Sequence, residues 1–368
     1  MLHLCVCVCV SWPMAKTPLC AHMFWSTAAT GSPDITMPDY AVQGVTSAMS
    51  AFPGGVYLAH YGRITNAPDG VCCVDARQFL AEDVKDGLLA RGMAIAHIAD
   101  IVRFLAAADR GGWVVDADTL WLRPAPAGLH FATLWSQKKA QRANADTPDK
   151  RGTPFTVPAN SGFAQDLKKL AQEKVEKGMQ MEPTDATDNK CEGKDWATNI
   201  QDTGPLIEKH GYQDYRRPGI WFAPVPFWAM CKMRNIALKN GFGDLDEKRR
   251  EKLGVLLPST SEILQESYCV PTSFVFNERN PQHTGKGFDL RATFATPEHN
   301  RSILAAVFRK SLEFQGRLPQ LEQDRDNRPA VLKKPAKRSS AASPHRPLAV
   351  DRKRRTKHPG VRVEEDLL

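Results

Sequence analysis

Residues 111–124, GGWVVDADTLWLRP, constrain this chain more than any other stretch, because an apolar run there closes on two aspartates, Asp116 and Asp118. Trp113, Val114 and Val115 are β-formers in an unbroken apolar run, which predicts a strand buried on both faces. The glycine pair before it fits a tight turn, and Leu122, Arg123 and Pro124 an exit. The two carboxylates are thus expected at the strand's carboxyl end, where open α/β sheets bind their ligands. A bend at the strand's end would let both carboxylates reach one divalent cation. Hard oxygen donors suit Mg²⁺ or Mn²⁺, which bridge nucleotide phosphates. Taken alone, a D-x-D more often just ends a strand and caps a turn.

The net charge of +8 suggests nucleic acid until it is mapped. Residues 328–368 carry 12 of the 49 basic and 4 of the 41 acidic side chains, which leaves 37 of each elsewhere. The folded part is formally neutral, which removes nucleic acid as its expected partner, and the partner of the basic tail stays open. At 368 residues with 42% apolar side chains the chain can bury a large core. Its nine cysteines include Cys5, Cys7 and Cys9 but no C-x-x-C pair, so a structural zinc site lacks its usual spacing. Free thiols are the economical account, and one sequon, Asn300-Arg301-Ser302, matters only in a secretory lumen. The apolar run 2–10 is too short to span a bilayer and lacks the basic flank of a signal peptide. Cytoplasm and Golgi lumen both stay open as the compartment.

Three segments follow: an apolar extension over 1–17, an α/β domain over 18–317 and a basic tail over 318–368 without periodicity. Within the domain, strands are expected at 19–25, 56–60 and 71–74 with a helix at 40–52, an order that implies a parallel, Rossmann-like sheet. Ile95, Ile98, Ile101, Val102 and Leu105 have helical spacing, and Gly111 is placed to stop that helix. Asp100 and Arg103 share a face of it at i and i+3. Such a pair taken alone reads as a surface ion pair, but this helix runs through only a glycine turn into the D-x-D strand. Further strands are expected at 131–135, 155–158 and 268–276, and helices at 166–177, from 202 and at 297–314. Polar stretches 137–152 and 179–194 read as loops, and the aromatic run 221–228 as a packed or pocket-lining segment.

Residues 100–124, DIVRFLAAADRGGWVVDADTLWLRP, resemble the D-x-x-R…G-G-x-x-x-D-x-D…P signature of glycosyltransferases with a DXD-containing sugar-binding region. These include the α-1,4-galactosyltransferases, the initiating yeast mannosyltransferases and the glucosylating bacterial toxins. The HMFW segment ending at Trp25, the stretch 56–76 and the Thr203-Gly204-Pro205 triplet agree in order, so the resemblance spans roughly 19–317. It implies a GT-A fold, α/β with a mixed central sheet, a nucleotide-sugar donor, a divalent metal that is usually Mn²⁺, and retention of the anomeric configuration. The acceptor would be a glycan, lipid or protein. Carried over by position, Asp118 would bind the metal directly and Asp116 the ribose and donor sugar, with a water-mediated metal link. Asp100, Arg103 and Gly112 would line the donor sugar and Trp25 the nucleotide. The family's late H-L-W-N-like stretch corresponds here to 274–277, FVFN, where only Asn277 matches as a metal ligand. His283, six residues on, is a substitute ligand or an exposed loop histidine.

Three other readings compete, one of them binding of nucleic acid or an anionic membrane through the basic run 351–358, DRKRRTKH. The VVDADTL run is similar to the nucleophile strand of haloacid-dehalogenase phosphatases, with Asp116 as nucleophile and Asp118 as acid/base. Against it, Leu120 occupies that motif's Thr/Val position, and the upstream glycine pair and D-x-x-R go unexplained. The missing histidine near Asn277 also fits a nucleotide-sugar-binding relative with weak turnover or none.

Overall fold

A computed structural model of the chain, which describes residues 19–26, 34–133, 151–181, 203–217, 219–222, 258–272 and 301–317, is built on a seven-stranded mixed sheet. In chain order the strands are β1 (Ala21–Phe24), β2 (Asp34–Ile35), β3 (Val56–His60), β4 (Arg63–Ile64), β5 (Cys72–Asp75) and β6 (Gly112–Val114). They continue as β7 (Thr119–Trp121), β8 (Phe131–Thr133), β9 (Arg151–Val157), β10 (Arg216–Arg217) and β11 (Cys269–Pro271). The longer helices are α1 (Asp39–Ala51), α2 (Glu82–Ala90), α3 (Ile95–Arg110) and α4 (Gly162–Gln180). The central sheet runs β10-β8-β9-β6-β1-β3-β5, while β7 pairs with β11 and β2 with β4 in two small ribbons.

Strand alternation sorts the core into two layers. Ala21, Met23, Trp113 and Val115 join α1 residues such as Val45 and Ala48 on one face. Phe24, Val114 and Phe155 join Ile101 and Phe104 of α3 and Phe163 and Leu167 of α4 on the other. Strand β6 is short and apolar because it is buried on both sides, as the run from Trp113 to Val115 predicts. Strands β1, β3, β5 and β6 are mutually parallel, and β9 enters antiparallel between β6 and β8. The expected Rossmann-like half is therefore present, joined to a mixed half.

Local chemistry sets the joints. Helix α3 ends at Gly111, whose φ of 70° a residue with a Cβ would adopt only under strain. Gly112 follows with φ 110°, and a Cβ there would lie 2.6 Å from the Cys20 sulfur, so its glycine character is required for β6 to approach β1. Next to this joint His22, fully buried in β1, donates from Nε2 to the Gly111 carbonyl at 2.7 Å and stacks on Tyr57.

Several expectations shift at the edges. The strand at residue 155 begins already at Arg151, inside the stretch read as loop, and α4 begins at Gly162 because Ser161 caps it by accepting from the Ala164 amide at 3.0 Å. Helix α2 and strand β7 were not anticipated, and β7 occupies what reads as an exit from the D-x-D strand. The remaining loop residues, most of the 221–228 run, the segments 1–17 and 318–368, Asn277 and His283 lie outside the described residues. Among the described residues no helix is long and apolar enough to cross a membrane.

Burial holds the His22 imidazole down at about 4, from 6.5, with the Arg110 charge pushing the same way and the Gly111 hydrogen bond opposing. A folded pKa below the unfolded one means stability is complete above about 6.5 and drains away as pH falls toward 4. The loss expected is roughly 2.5 kcal/mol, measured as the extra decline in urea-unfolding free energy of the wild type over His22→Gln between pH 7.5 and 4.5. Equal declines in the two proteins would refute this role for His22.

Candidate functional site

The strand order reverses beside β1. The chain lays β3 and β5 on one side of β1 and then returns to place β6 on the other, so the switch point lies between β1 and β6. At such a point the connections leave toward opposite faces and open a crevice beyond the carboxyl ends of the two strands. Trp25 follows β1 directly, and Asp116 stands two residues beyond the end of β6. Both expected site residues thus occupy the edge that the topology opens. The Trp25 ring is half-buried and meets Tyr40 edge-on at 6.2 Å between centroids.

At this edge the chain bends. Residues Asp116, Ala117 and Asp118 form the turn by which it leaves the central sheet and enters the β7–β11 ribbon. The turn is held from four directions. The Thr119 amide donates to the Asp116 carbonyl at 3.2 Å, and Thr272 at the end of β11 donates from its amide and hydroxyl to the Asp118 carbonyl, at 3.1 and 2.5 Å. Beneath it, Gly44 of α1 leaves room for the Ala117 carbonyl. Ser47, one helical turn on, accepts from the Trp121 amide at 3.0 Å, and Ser311 donates to the Trp121 carbonyl at 2.8 Å, which fixes β7 from both sides.

Asp100 and Arg103 on α3 are 3% and 4% exposed, so the surface ion pair that their spacing alone suggests is in fact a core feature. The Arg103 guanidinium lies between two carboxylates. It donates from Nη2 to Asp100 Oδ1 at 2.5 Å, from Nη1 to Asp116 Oδ1, and from Nε to the Ala99 carbonyl at 3.2 Å. Asp116, with 33% of its side chain exposed, accepts a further hydrogen bond on Oδ2 from the Thr153 hydroxyl of β9. Three residues 3 and 13 positions apart in the chain thus form one cluster, with a fourth from another strand. Burial pushes the Asp100 carboxyl up to about 7 against the pull of Arg103, and the Asp116 charge adds to the rise. For Arg103 the two carboxylates outweigh the burial that would lower it, and its pKa is raised. The same Asp116 charge adds to burial in raising the Cys269 thiol well above its usual range.

Asp118 is half-buried at the far side of the turn. Among the described residues no three His, Cys, Asp or Glu side chains converge as a metal cage. A cation that takes most of its ligands from phosphate and water needs only one or two protein carboxylates, and Asp116 and Asp118 fit that demand in type and number. Gly112 lies in the β6–β1 packing described above. Thr153, Thr272 and Gly44 are the site residues that sequence reasoning missed. Thr153 and Thr272 lie far along the chain from the turn they serve, and no local pattern marks them.

No family model matches the chain, and no curated protein matches it in sequence. Among solved structures it is similar to the PaToxG glycosyltransferase, at 13% identity and a TM-score of 0.33, over 70% of this chain and 91% of that one. That likeness is too weak to bear on function.

Removing the cation from between its two carboxylates leaves Asp100 buried without its partner, so Arg103→Leu is expected to lower the unfolding free energy by about 3–5 kcal/mol. Gly44→Ala gains about 1 kcal/mol of helix propensity. Its Cβ would stand 2.1 Å from the Ala117 carbonyl oxygen, a backbone atom, and relieving that overlap costs about 1–3 kcal/mol, so a net loss is expected. Urea denaturation of both variants checks these values, and an Arg103→Leu protein as stable as the wild type would contradict the first.

Proposed function

We propose that this protein is a metal-dependent, retaining glycosyltransferase of GT-A fold that moves a sugar from a nucleotide-sugar, a UDP-sugar in the first instance, to a glycan, lipid or protein acceptor. The observation that carries the reading is the convergence of Asp100, Arg103 and Asp116 at the carboxyl edge where the strand order reverses. The resemblance links these same residues by pattern alone. Their meeting in one cluster, with Asp100 and Arg103 buried and Asp116 one-third exposed, suits a polyhydroxylated ligand, since each sugar hydroxyl that leaves water needs a fixed partner.

The chemistry assigned to each residue follows from its remaining capacity. Arg103 has five N–H groups, of which three are engaged among the described residues, and the other two would donate to sugar hydroxyls. Asp116 accepts one hydrogen bond on each oxygen and keeps further lone pairs for ribose and donor-sugar hydroxyls. Trp25 supplies an aromatic face beside the nucleotide. Asp118 and Asp116 would hold Mn²⁺ or Mg²⁺, whose charge, once bound, offsets that of the departing diphosphate. The turn and its carboxylates are set before substrate arrives, which spares reorganisation when charge develops. For a phosphatase, Asp116 would have to attack phosphorus, and a carboxylate donated to on both oxygens by Arg103 and Thr153 is a poor nucleophile.

The test is a diphosphate-nucleoside release screen over UDP- and GDP-sugars with Mn²⁺, Mg²⁺ or EDTA. Release is expected with Mn²⁺ and lost in EDTA, and Asp118→Asn is expected to fall by about 100-fold or more while remaining folded. Undiminished release by Asp118→Asn would overturn the site assignment. Binding of UDP with Mn²⁺ but no turnover of any donor would instead favour a nucleotide-sugar-binding relative.

A further inference from the structure

We infer that Thr153 is a positioning residue of the donor site: its hydroxyl sets the plane of the Asp116 carboxylate so that the lone pairs not used by the protein face the ligand. The inference rests on the donor-site reading above. It begins from a geometric need. The terminal torsion of an aspartate is broad, so a carboxylate held at one oxygen alone can turn about it. Arg103 reaches Asp116 at Oδ1 from α3, and Thr153 reaches it at Oδ2 from β9, a strand on the opposite side of β6 from β1. Two donors on different elements, one at each oxygen, fix the plane where either alone leaves it to rotate.

The residue type also fits. The cluster already holds two carboxylates against one guanidinium. A lysine in place of Thr153 would add charge and compete with the donor for Asp116, whereas a hydroxyl orients the group and leaves its charge available. Thr153 is 6% exposed, and it lies between two residues of β9 that pair with β8, Arg151 and Phe155, at an irregularity in that ladder, so burial and its flanking pairs hold the hydroxyl. Asp116 is already one-third exposed, so when the hydroxyl is lost its carboxylate can turn toward water; stability is hardly affected and the consequence falls on orientation. Sequence gives no hint of the pairing, since residue 153 falls between the stretch 137–152 that reads as polar loop and the strand expected at 155–158.

The test compares Thr153→Val, which keeps the shape and loses the hydroxyl, with Thr153→Ser, which keeps the hydroxyl, in the full chain. Thr272→Val serves as a control that loosens the same turn at a backbone carbonyl without touching a carboxylate. For the donor that the wild type turns over best, Thr153→Val is expected to lose about 10- to 100-fold in kcat/KM, and Thr153→Ser to recover most of it. Crystal structures of the unliganded wild type and Thr153→Val supply a readout that needs no activity. A turned Asp116 carboxylate supports the inference, and an unchanged one overturns it, whether or not a donor is ever found. Wild-type kinetics in Thr153→Val, or equal losses in Thr153→Val and Thr153→Ser, would also overturn it while leaving the transferase reading intact. A wild type that neither binds UDP nor turns over any donor defeats that reading instead, and the crystallographic comparison still decides the role of Thr153.

Discussion

A buried guanidinium is the constraint around which this structure is arranged. Arg103 cannot be neutralised, so the helix that buries it must bring anions to it or lose several kcal/mol in desolvation. One anion, Asp100, comes from the same helix three residues back, and the other, Asp116, comes from the turn after β6. Because the second partner belongs to the next element, the ion pair ties the end of β6 to the face of α3 and fixes where the chain can bend. The site is therefore a consequence of how the core satisfies a charge, and the same contact serves folding and the proposed ligand.

The second constraint is the change of sheet. Strand β6 is in the central sheet and β7 in a ribbon with β11, so the backbone must turn sharply between Val114 and Thr119. Such a turn is usually mobile. Here several backbone groups have a partner or a fitted neighbour: Thr272 on the Asp118 carbonyl, Gly44 beneath the Ala117 carbonyl, and Ser47 and Ser311 on Trp121. Trp113, Trp121 and Phe52 pack edge-on under it, with centroids 4.7 to 6.0 Å apart, which backs the turn with aromatic bulk. The carboxylates stand on a rigid base, as a site that must not reorganise requires.

What was legible in the chain was whatever depends on neighbours in sequence. Helical spacing at Ile98, Ile101, Val102 and Leu105, the stop at Gly111 and the apolar run of β6 all appear where local pattern puts them. The shared face of Asp100 and Arg103 was likewise readable, since an i, i+3 relation is a property of any helix. Helix α2 escaped because Glu82, Asp83, Lys85 and Asp86 hide its few apolar positions, and Lys85 is nevertheless buried, over the Tyr61 ring and against Glu82 and Asp86. Strand β7 escaped because three residues carry no usable period, and its partner, β11, lies about 150 residues away.

The sequence by itself determined the periods, the stops and the presence of carboxylates at the end of an apolar strand. It also placed the positive charge in the tail, because charge is additive along a chain. Only the tertiary structure decided that Asp100 and Arg103 are core residues, since burial depends on what packs against a helix face and α4 comes from 60 residues further on. It alone brought Thr153 and Thr272 to the turn, through strand pairings whose register no local pattern encodes. The D-x-D stretch could announce a bend, but the direction of its carboxylates is set by donors from α3 and β9, which meet only when the sheet is assembled.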